Sequence, residues 1–258
     1  MDLDRRRQLV VLVAYVVTVV VNGLAVALPL NGQSTAEISD RYATLVTPAG
    51  YVFSIWSLIY LLLLVFSVYQ ALPSQRTEPR LRAIGYLPAV AGALNAIWLV
   101  LWHYNVFALT VPVMLGLLVT LIVIHRRLGI GRAAPGALAE AIAVRLAWSV
   151  YLGWITIATI ANIATTLVWL EWDGFGVAPE LWAVAVLAVG VAIAAAVAIS
   201  RRDVAYSLVI VWAYVGIAIN QADTTLVAGA AGIGAAIVLG LALWSVAGRR
   251  PPRWQPAG

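Results

Sequence analysis

The chain has 258 residues, of which 63% are hydrophobic and only 10% charged, whereas a soluble domain carries roughly 25% charged residues. That apolar content exceeds what one globular core could hide, so the solvent for most of the protein is lipid. There is no cysteine, which excludes disulfide, thiolate and zinc–thiolate chemistry. The net charge of +5 comes from 16 basic residues, all arginine, spread over separate loops rather than grouped in one stripe, which argues against a nucleic-acid partner.

Apolar spans occupy residues 8–30, 48–71, 83–103, 105–125, 145–170, 179–200, 204–222 and 224–247. Each is near the length of about 20 residues that a helix needs to cross a bilayer. The first follows Arg5, Arg6 and Arg7 and is longer than a signal-peptide core, so it reads as a retained helix. The loop 31–47 is polar and predicted to be partly helical, long enough to fold over one mouth of the bundle. The second span opens at Thr47-Pro48 and packs Tyr51, Phe53, Trp56 and Tyr60 into its first half before turning aliphatic. The turn His103-Tyr104-Asn105 is so short that the third and fourth spans form a hairpin. Pro112 falls inside the fourth, where a kink is expected. The loop 126–144 is basic, then Ala-rich around Glu140, and is expected at the interface. The last spans are rich in Ala and Gly. Gly229, Gly232 and Gly234 allow close helix packing, within the chain or in a homodimer.

The arginines alternate with the spans. Fifteen lie in loops on one side and only Arg41 lies on the other, with Glu37, Asp40, Glu171, Asp173, Glu180 and Asp223. The positive-inside rule then predicts about eight transmembrane helices in the cytoplasmic membrane, with both termini cytoplasmic. The fold class is an all-α, polytopic membrane helix bundle whose first partner is the lipid bilayer. One internal echo exists: 147–162 and 205–220 share Ala, Ser, Trp and Asn at equal offsets.

No charged residue lies near the middle of a span, which argues against ion-coupled transport and acid/base catalysis. His103 and His125 sit at loop edges and read as interface residues, so no metal or haem ligand set is expected. What remains inside are asparagines and aromatic rings. Asn22 lies about 21 Å from the inner end of the first span, Asn95 about 18 Å along the third, and Asn162 about 25 Å along the fifth, at 1.5 Å per residue. With Tyr51 and Trp56 they share the outer half of the bundle. Two readings stay open: the asparagines bond helices together, or, with Tyr51, Trp56, Trp98 and Trp154, they line an aromatic pocket for a flat hydrophobic ligand. Of the 11 tryptophans, Trp169, Trp172, Trp182, Trp244 and Trp254 lie near span ends and read as interfacial belt residues, with Trp102 and Trp148 candidates for the same role. Trp56, Trp98, Trp154 and Trp212 lie deeper.

These residues also resemble a known family. Pro48-Ala49-Gly50-Tyr51-Val52-Phe53 with Trp56 and Tyr60 is similar to the second helix of the tryptophan-rich sensory protein/translocator protein (TspO/MBR) family. Leu94-Asn95 with Trp98 resembles its third-helix motif. Tyr151-Leu152-Gly153-Trp154 with Ala158-Thr159 and Asn162 resembles its fifth. The resemblance covers residues 1–172 and implies a five-helix bundle that binds porphyrins, sterols or related hydrophobic compounds. It places Phe53, Ser54, Trp56, Asn95, Trp98, Trp154, Ala158 and Asn162 at pocket positions. Residues 173–258 would then be three additional helices and a short cytoplasmic tail, making this a long, divergent member. The Pro usual between the Phe and Trp of helix two is replaced by Ser54-Ile55, Val150 stands where a Pro often precedes the fifth-helix aromatic, and residues 163–172 lack the Tyr and basic residue of the sterol-associated pattern.

The expectation is a membrane sensor or regulator that binds a tetrapyrrole-like molecule at Asn22, Tyr51, Phe53, Ser54, Trp56, Asn95, Trp98, Trp154, Ala158 and Asn162. No cofactor beyond such a ligand is expected. The alternatives are an exporter of hydrophobic metabolites, which the echo between helices five and seven would suit, and an intramembrane enzyme, which lacks acid/base and nucleophilic residues.

Overall fold

The computed structural model describes residues 2–28, 30–132 and 137–247. It is helical throughout, with no strand among the described residues. The elements are α1 (Leu3–Ala27), α2 (Thr35–Arg41), a 3-10 turn (Gly50–Ser54), α3 (Ile55–Ala71), α4 (Pro79–Ile84), α5 (Leu87–His103) and α6 (Phe107–Arg127). A short α7 (Leu138–Glu140) and a π turn (Ala141–Leu146) lead into α8 (Ala147–Trp169), followed by α9 (Pro179–Arg201), α10 (Val204–Asn220) and α11 (Thr225–Ala247). Among the described residues, six helical stretches are long and apolar enough to cross a membrane, and α5 and α10 are two further, shorter apolar helices of 17 residues. The protein is therefore a multi-pass membrane helix bundle. Arg249, Arg250, Arg253 and Trp254, together with residues 133–136 of the basic loop, lie outside the described residues.

The local signals explain most boundaries. In the loop before α3, Ser34 accepts from the Glu37 N–H while Glu37 accepts from the Ser34 N–H, a reciprocal cap that starts α2. Gly85, at φ +54°, breaks the expected third span into α4 and α5. Asn105, at φ +57°, turns α5 back into α6, and the two pack side by side as the short loop required. α6 runs unbroken across Pro112.

α8 is the hub. About 78% of its apolar window is buried, against 22–39% for the other five spans. It touches α3, α6 and α10, and α10 in turn carries α11 and α9. A helix that is apolar on every side can be covered only by neighbours on every side. Close approach to α10 depends on Gly153, whose added Cβ would meet Val209 Cβ at 3.0 Å and the Tyr206 carbonyl at 3.1 Å. On α11, Gly234 packs against Tyr214 within the chain, while Gly229 and Gly232 face open space.

Several side chains sit deeper than their sequence positions suggested. Trp102 and Trp148, candidates for the interfacial belt, are interior. Trp148 packs edge-on against Phe66, and Trp102 stacks on Trp98. Both histidines are interior as well, because protein covers the helix ends where they stand. His103 is fully buried, its Nδ1 2.8 Å from the Leu99 carbonyl oxygen. His125 Nε2 is 2.7 Å from Asp203 Oδ2, which also accepts from Ser149 Oγ at 2.6 Å, and all three side chains are buried. The trio joins α6, α8 and the start of α10. It lay outside the sequence reading because its members are 78 and 54 residues apart.

Candidate functional site

Two layers of polar and aromatic groups lie along one half of the bundle. In the first, α1, α3 and α5 meet. Asn22 Nδ2 donates to Asn95 Oδ1 at 2.9 Å and to the Thr18 carbonyl, and Tyr60 Oη donates to Asn22 Oδ1 at 2.5 Å. Asn95 Nδ2 is left beside the hydroxyls of Tyr60 and Tyr151 without a well-formed bond to either. In hydrocarbon such groups must find partners inside the protein. This layer acts as the interhelical bonding that one reading of the asparagines expected.

The second layer is a cavity of about 40 Å³ between the loop before α3, α5 and α8. Its walls are mainly rings: Phe53, Trp56, Trp98, Trp102 and Trp154. Trp56 is central to them. It stacks on Tyr60 and Trp98 and meets Trp154 edge-on, with centroids 5.6, 6.3 and 6.0 Å away. Phe53 meets Trp154 edge-on at 5.8 Å. Ala158 and Ala161, one helical turn from Trp154 and Thr165, leave the space that the rings do not fill.

The polar chemistry of this cavity is one-sided. Trp98 Nε1 donates to Asn162 Oδ1 at 2.9 Å, which fixes the amide so that Nδ2 is the free end. Neither Asn162 Nδ2 nor Trp154 Nε1 has an acceptor within the protein, although both are buried. Two N–H groups therefore need an acceptor in an aromatic enclosure, and leaving a buried donor unmet costs about 1–3 kcal/mol.

Of the expected pocket residues, the structure brings Phe53, Trp56, Trp98, Trp154, Ala158 and Asn162 to this cavity. Asn22 and Asn95 lie in the adjoining bonded layer. Tyr51 and Ser54 lie away from it: both are exposed, and Tyr51 packs edge-on against Trp212. The reason is local. Residues 50–54 form a 3-10 turn rather than the first turn of an α-helix, so positions three apart eclipse. Tyr51 and Ser54 share one ridge while Phe53 points elsewhere.

The 3-10 turn is held by α10. The Ala49 N–H donates to the Gly216 carbonyl at 3.1 Å, Trp212 Nε1 to the Val52 carbonyl at 3.2 Å, and Asn220 Nδ2 to the Thr47 carbonyl at 3.0 Å. Val52 inserts where Gly216 has no side chain: a Cβ there would lie 2.2 Å from Val52 Cγ2. These contacts span 160 to 173 residues of sequence. The asparagine and tryptophan of the internal echo could have hinted at them only if α10 were known to reach the loop.

A family described as "TSPO-like protein" matches residues 8–244. The matched stretch takes in α9 and α10 and most of α11 as well as the helices that line the cavity. No curated protein and no solved structure matches the chain.

Proposed function

Because the chain belongs to the TSPO-like protein family, we propose that it binds a flat hydrophobic molecule of the tetrapyrrole class in the aromatic cavity and acts as a membrane sensor or regulator. The observation that carries this reading is the pair of unmet donors, Trp154 Nε1 and Asn162 Nδ2, inside walls of indole and phenyl rings. Rings offer stacking faces, and the donors select a ligand with hydrogen-bond acceptors. A ring nitrogen or a carbonyl meets that need without bringing a charge into the bilayer.

The cavity of about 40 Å³ holds water-sized guests, since an apolar cavity of about 150 Å³ is what takes one benzene. A tetrapyrrole therefore enters by parting side chains. Phe53 and Trp56 are the movable wall. They stand at the junction of the 3-10 turn and α3, half-buried, whereas Trp98 and Trp154 are locked in the interior.

In the same reading, residues 1–172 carry the pocket and 173–258 brace it through α10. The arginine-bearing ends of the helices face the cytoplasm, with both termini there. The protein resides in the cytoplasmic membrane, and the open face at Gly229 and Gly232 is where a second copy would pack.

The test is titration of the purified protein with protoporphyrin while tryptophan emission is followed. Saturable quenching is expected, weakened in Trp154→Phe and Asn162→Leu with the melting temperature recorded alongside. Quenching that rises linearly with porphyrin, or is unchanged in both variants, rejects the reading.

A further inference from the structure

A second, larger cavity of about 350 Å³ lies at the same end of the bundle, between the outer parts of α8 and α9. It shares no lining residue with the aromatic cavity. α8 and α9 barely touch, and the space between them is bounded by Ala164 and Val168 of α8 and Ala183 and Val186 of α9. Residues 43–46 close its back. Trp172 and Trp182 stand at its rim with centroids 5.2 Å apart.

Two polar side chains beside this space are already engaged. Trp182 Nε1 donates to the Gly174 carbonyl at 2.8 Å, and the Thr44 hydroxyl pairs with that of Thr47 at 3.0 Å. Asp173 is the charged exception. Its Oδ1 accepts from the Phe175 N–H at 2.9 Å, which caps the turn, and the residue is exposed and lines the cavity. Glu171 and Glu180 belong to the same loop and helix start.

We infer that this crevice is a binding site for the hydrocarbon chain of an amphiphile whose head is neutral or positively charged. The walls are mostly apolar side chains, among them Ala164, Leu167, Val168, Ala183 and Val186, so the bound portion is chiefly hydrocarbon and is held by burial from water. Its volume is about twice that of a cavity that accepts benzene. The opening lies at the indole-rimmed end of two apolar helices, the level at which tryptophan marks the membrane–water boundary. A chain can lie between the helices there while its head meets the rim. The Asp173 carboxylate at that rim repels an anionic head and attracts a cationic one. This also gives α9 a role that bracing the aromatic cavity does not require.

The experiment uses the full chain in phosphatidylcholine proteoliposomes. Three photoreactive probes of equal chain length carry a mid-chain diazirine and an alcohol, an amine or a carboxylic acid head. Labelled residues are mapped by mass spectrometry. Saturable labelling is expected within 164–186, stronger for the amine and alcohol than for the acid by roughly two- to fivefold, the range of an exposed charge interaction. Asp173→Asn should remove that preference. Ala183→Phe fills the crevice and should reduce labelling there to background, and Ala164→Leu does the same by a milder change should the first variant fold poorly. Labelling that does not saturate, or that persists in a folded crevice-filling variant, overturns the site as ordinary lipid contact. An acid probe that labels as well as the amine overturns the assignment of the head. Protoporphyrin quenching is read in the same samples and tests the aromatic cavity independently.

Discussion

The indole N–H of Trp98, on α5, donates to Oδ1 of Asn162, on α8, at 2.9 Å. This one bond ties two helices across 64 residues of sequence and engages Oδ1 of the carboxamide, which leaves Nδ2 of this cavity-lining residue buried without an acceptor. Asn162→Leu then does two things: it strands the Trp98 N–H and removes the unmet Nδ2 donor that the proposed ligand would engage. Stability should fall by about 1–2 kcal/mol, the range of interhelical bonds in membranes. Trp98→Phe in the Asn162→Leu background should cost less than the sum of the single changes, since the stranded donor is gone. Unfolding in detergent of the four proteins of the cycle measures the coupling.

The Asn22–Asn95–Tyr60 layer predicts a graded series. Tyr60→Phe loses one donor to Asn22 Oδ1 and should cost about 0.6–1.7 kcal/mol. Asn22→Leu should cost more, because it leaves both Asn95 Oδ1 and the Tyr60 hydroxyl without their partner. Equal losses in the two variants would show that the layer does not act as a connected network.

Gly216 links the C-terminal helices to the cavity. Gly216→Val places new atoms against Val52, which already lies 2.2 Å from where a Cβ would stand. Overpacking of this kind costs about 1–3 kcal/mol, and it should displace the 3-10 turn that presents Phe53. A lower melting temperature and weaker porphyrin quenching are expected together. Val52→Ala in the same background should recover both, whereas recovery of neither would separate α10 from the pocket.

Asp203 is buried with His125 and Ser149 and also caps α10, where Oδ1 accepts from the Tyr206 N–H at 3.1 Å. Removing a shared partner leaves each buried hydrogen-bonding group unmet, at about 1–3 kcal/mol apiece. Asp203→Leu should therefore destabilise the bundle more than Ser149→Ala, which leaves the carboxylate its histidine and backbone partners. Thermal unfolding of the two variants in one detergent tests the order.

The cap of α2 sets a pH dependence outside the membrane. Hydrogen bonds from the Ser34 backbone and side chain hold the Glu37 carboxyl below its ordinary range. A carboxylate with a depressed folded pKa contributes stability that is present above its unfolded pKa and is lost as pH falls through the folded value. Amide exchange in residues 35–41 should be pH-independent in its protection above the usual glutamate range and lose protection below it. Glu37→Gln should flatten that change.

Much of the lining of the aromatic cavity was legible because it is built from local signals. Phe53, Trp56, Trp98, Trp154, Ala158 and Asn162 were readable from three short motifs and their depths. Tyr51 and Ser54 fall off the cavity lining because the 3-10 turn is imposed from outside the segment: α10 binds the carbonyls of Thr47 and Val52, and nothing within residues 47–56 announces it. The buried His125–Asp203–Ser149 trio was missed for a related reason, since its members stand 78 and 54 residues apart and no single stretch of sequence contains them.

Composition and the spacing of apolar runs determined by themselves that this chain is a multi-pass helical membrane protein, because a lipid solvent leaves helices of a set length as the way to satisfy the backbone. Which helix became the hub, which face of the 3-10 turn met the cavity and how α9 opened a second crevice were decided by tertiary packing. Those outcomes depend on contacts such as Val52 against Gly216 and Gly153 against Val209, where two backbones can approach closely only when residues far apart in sequence both leave room.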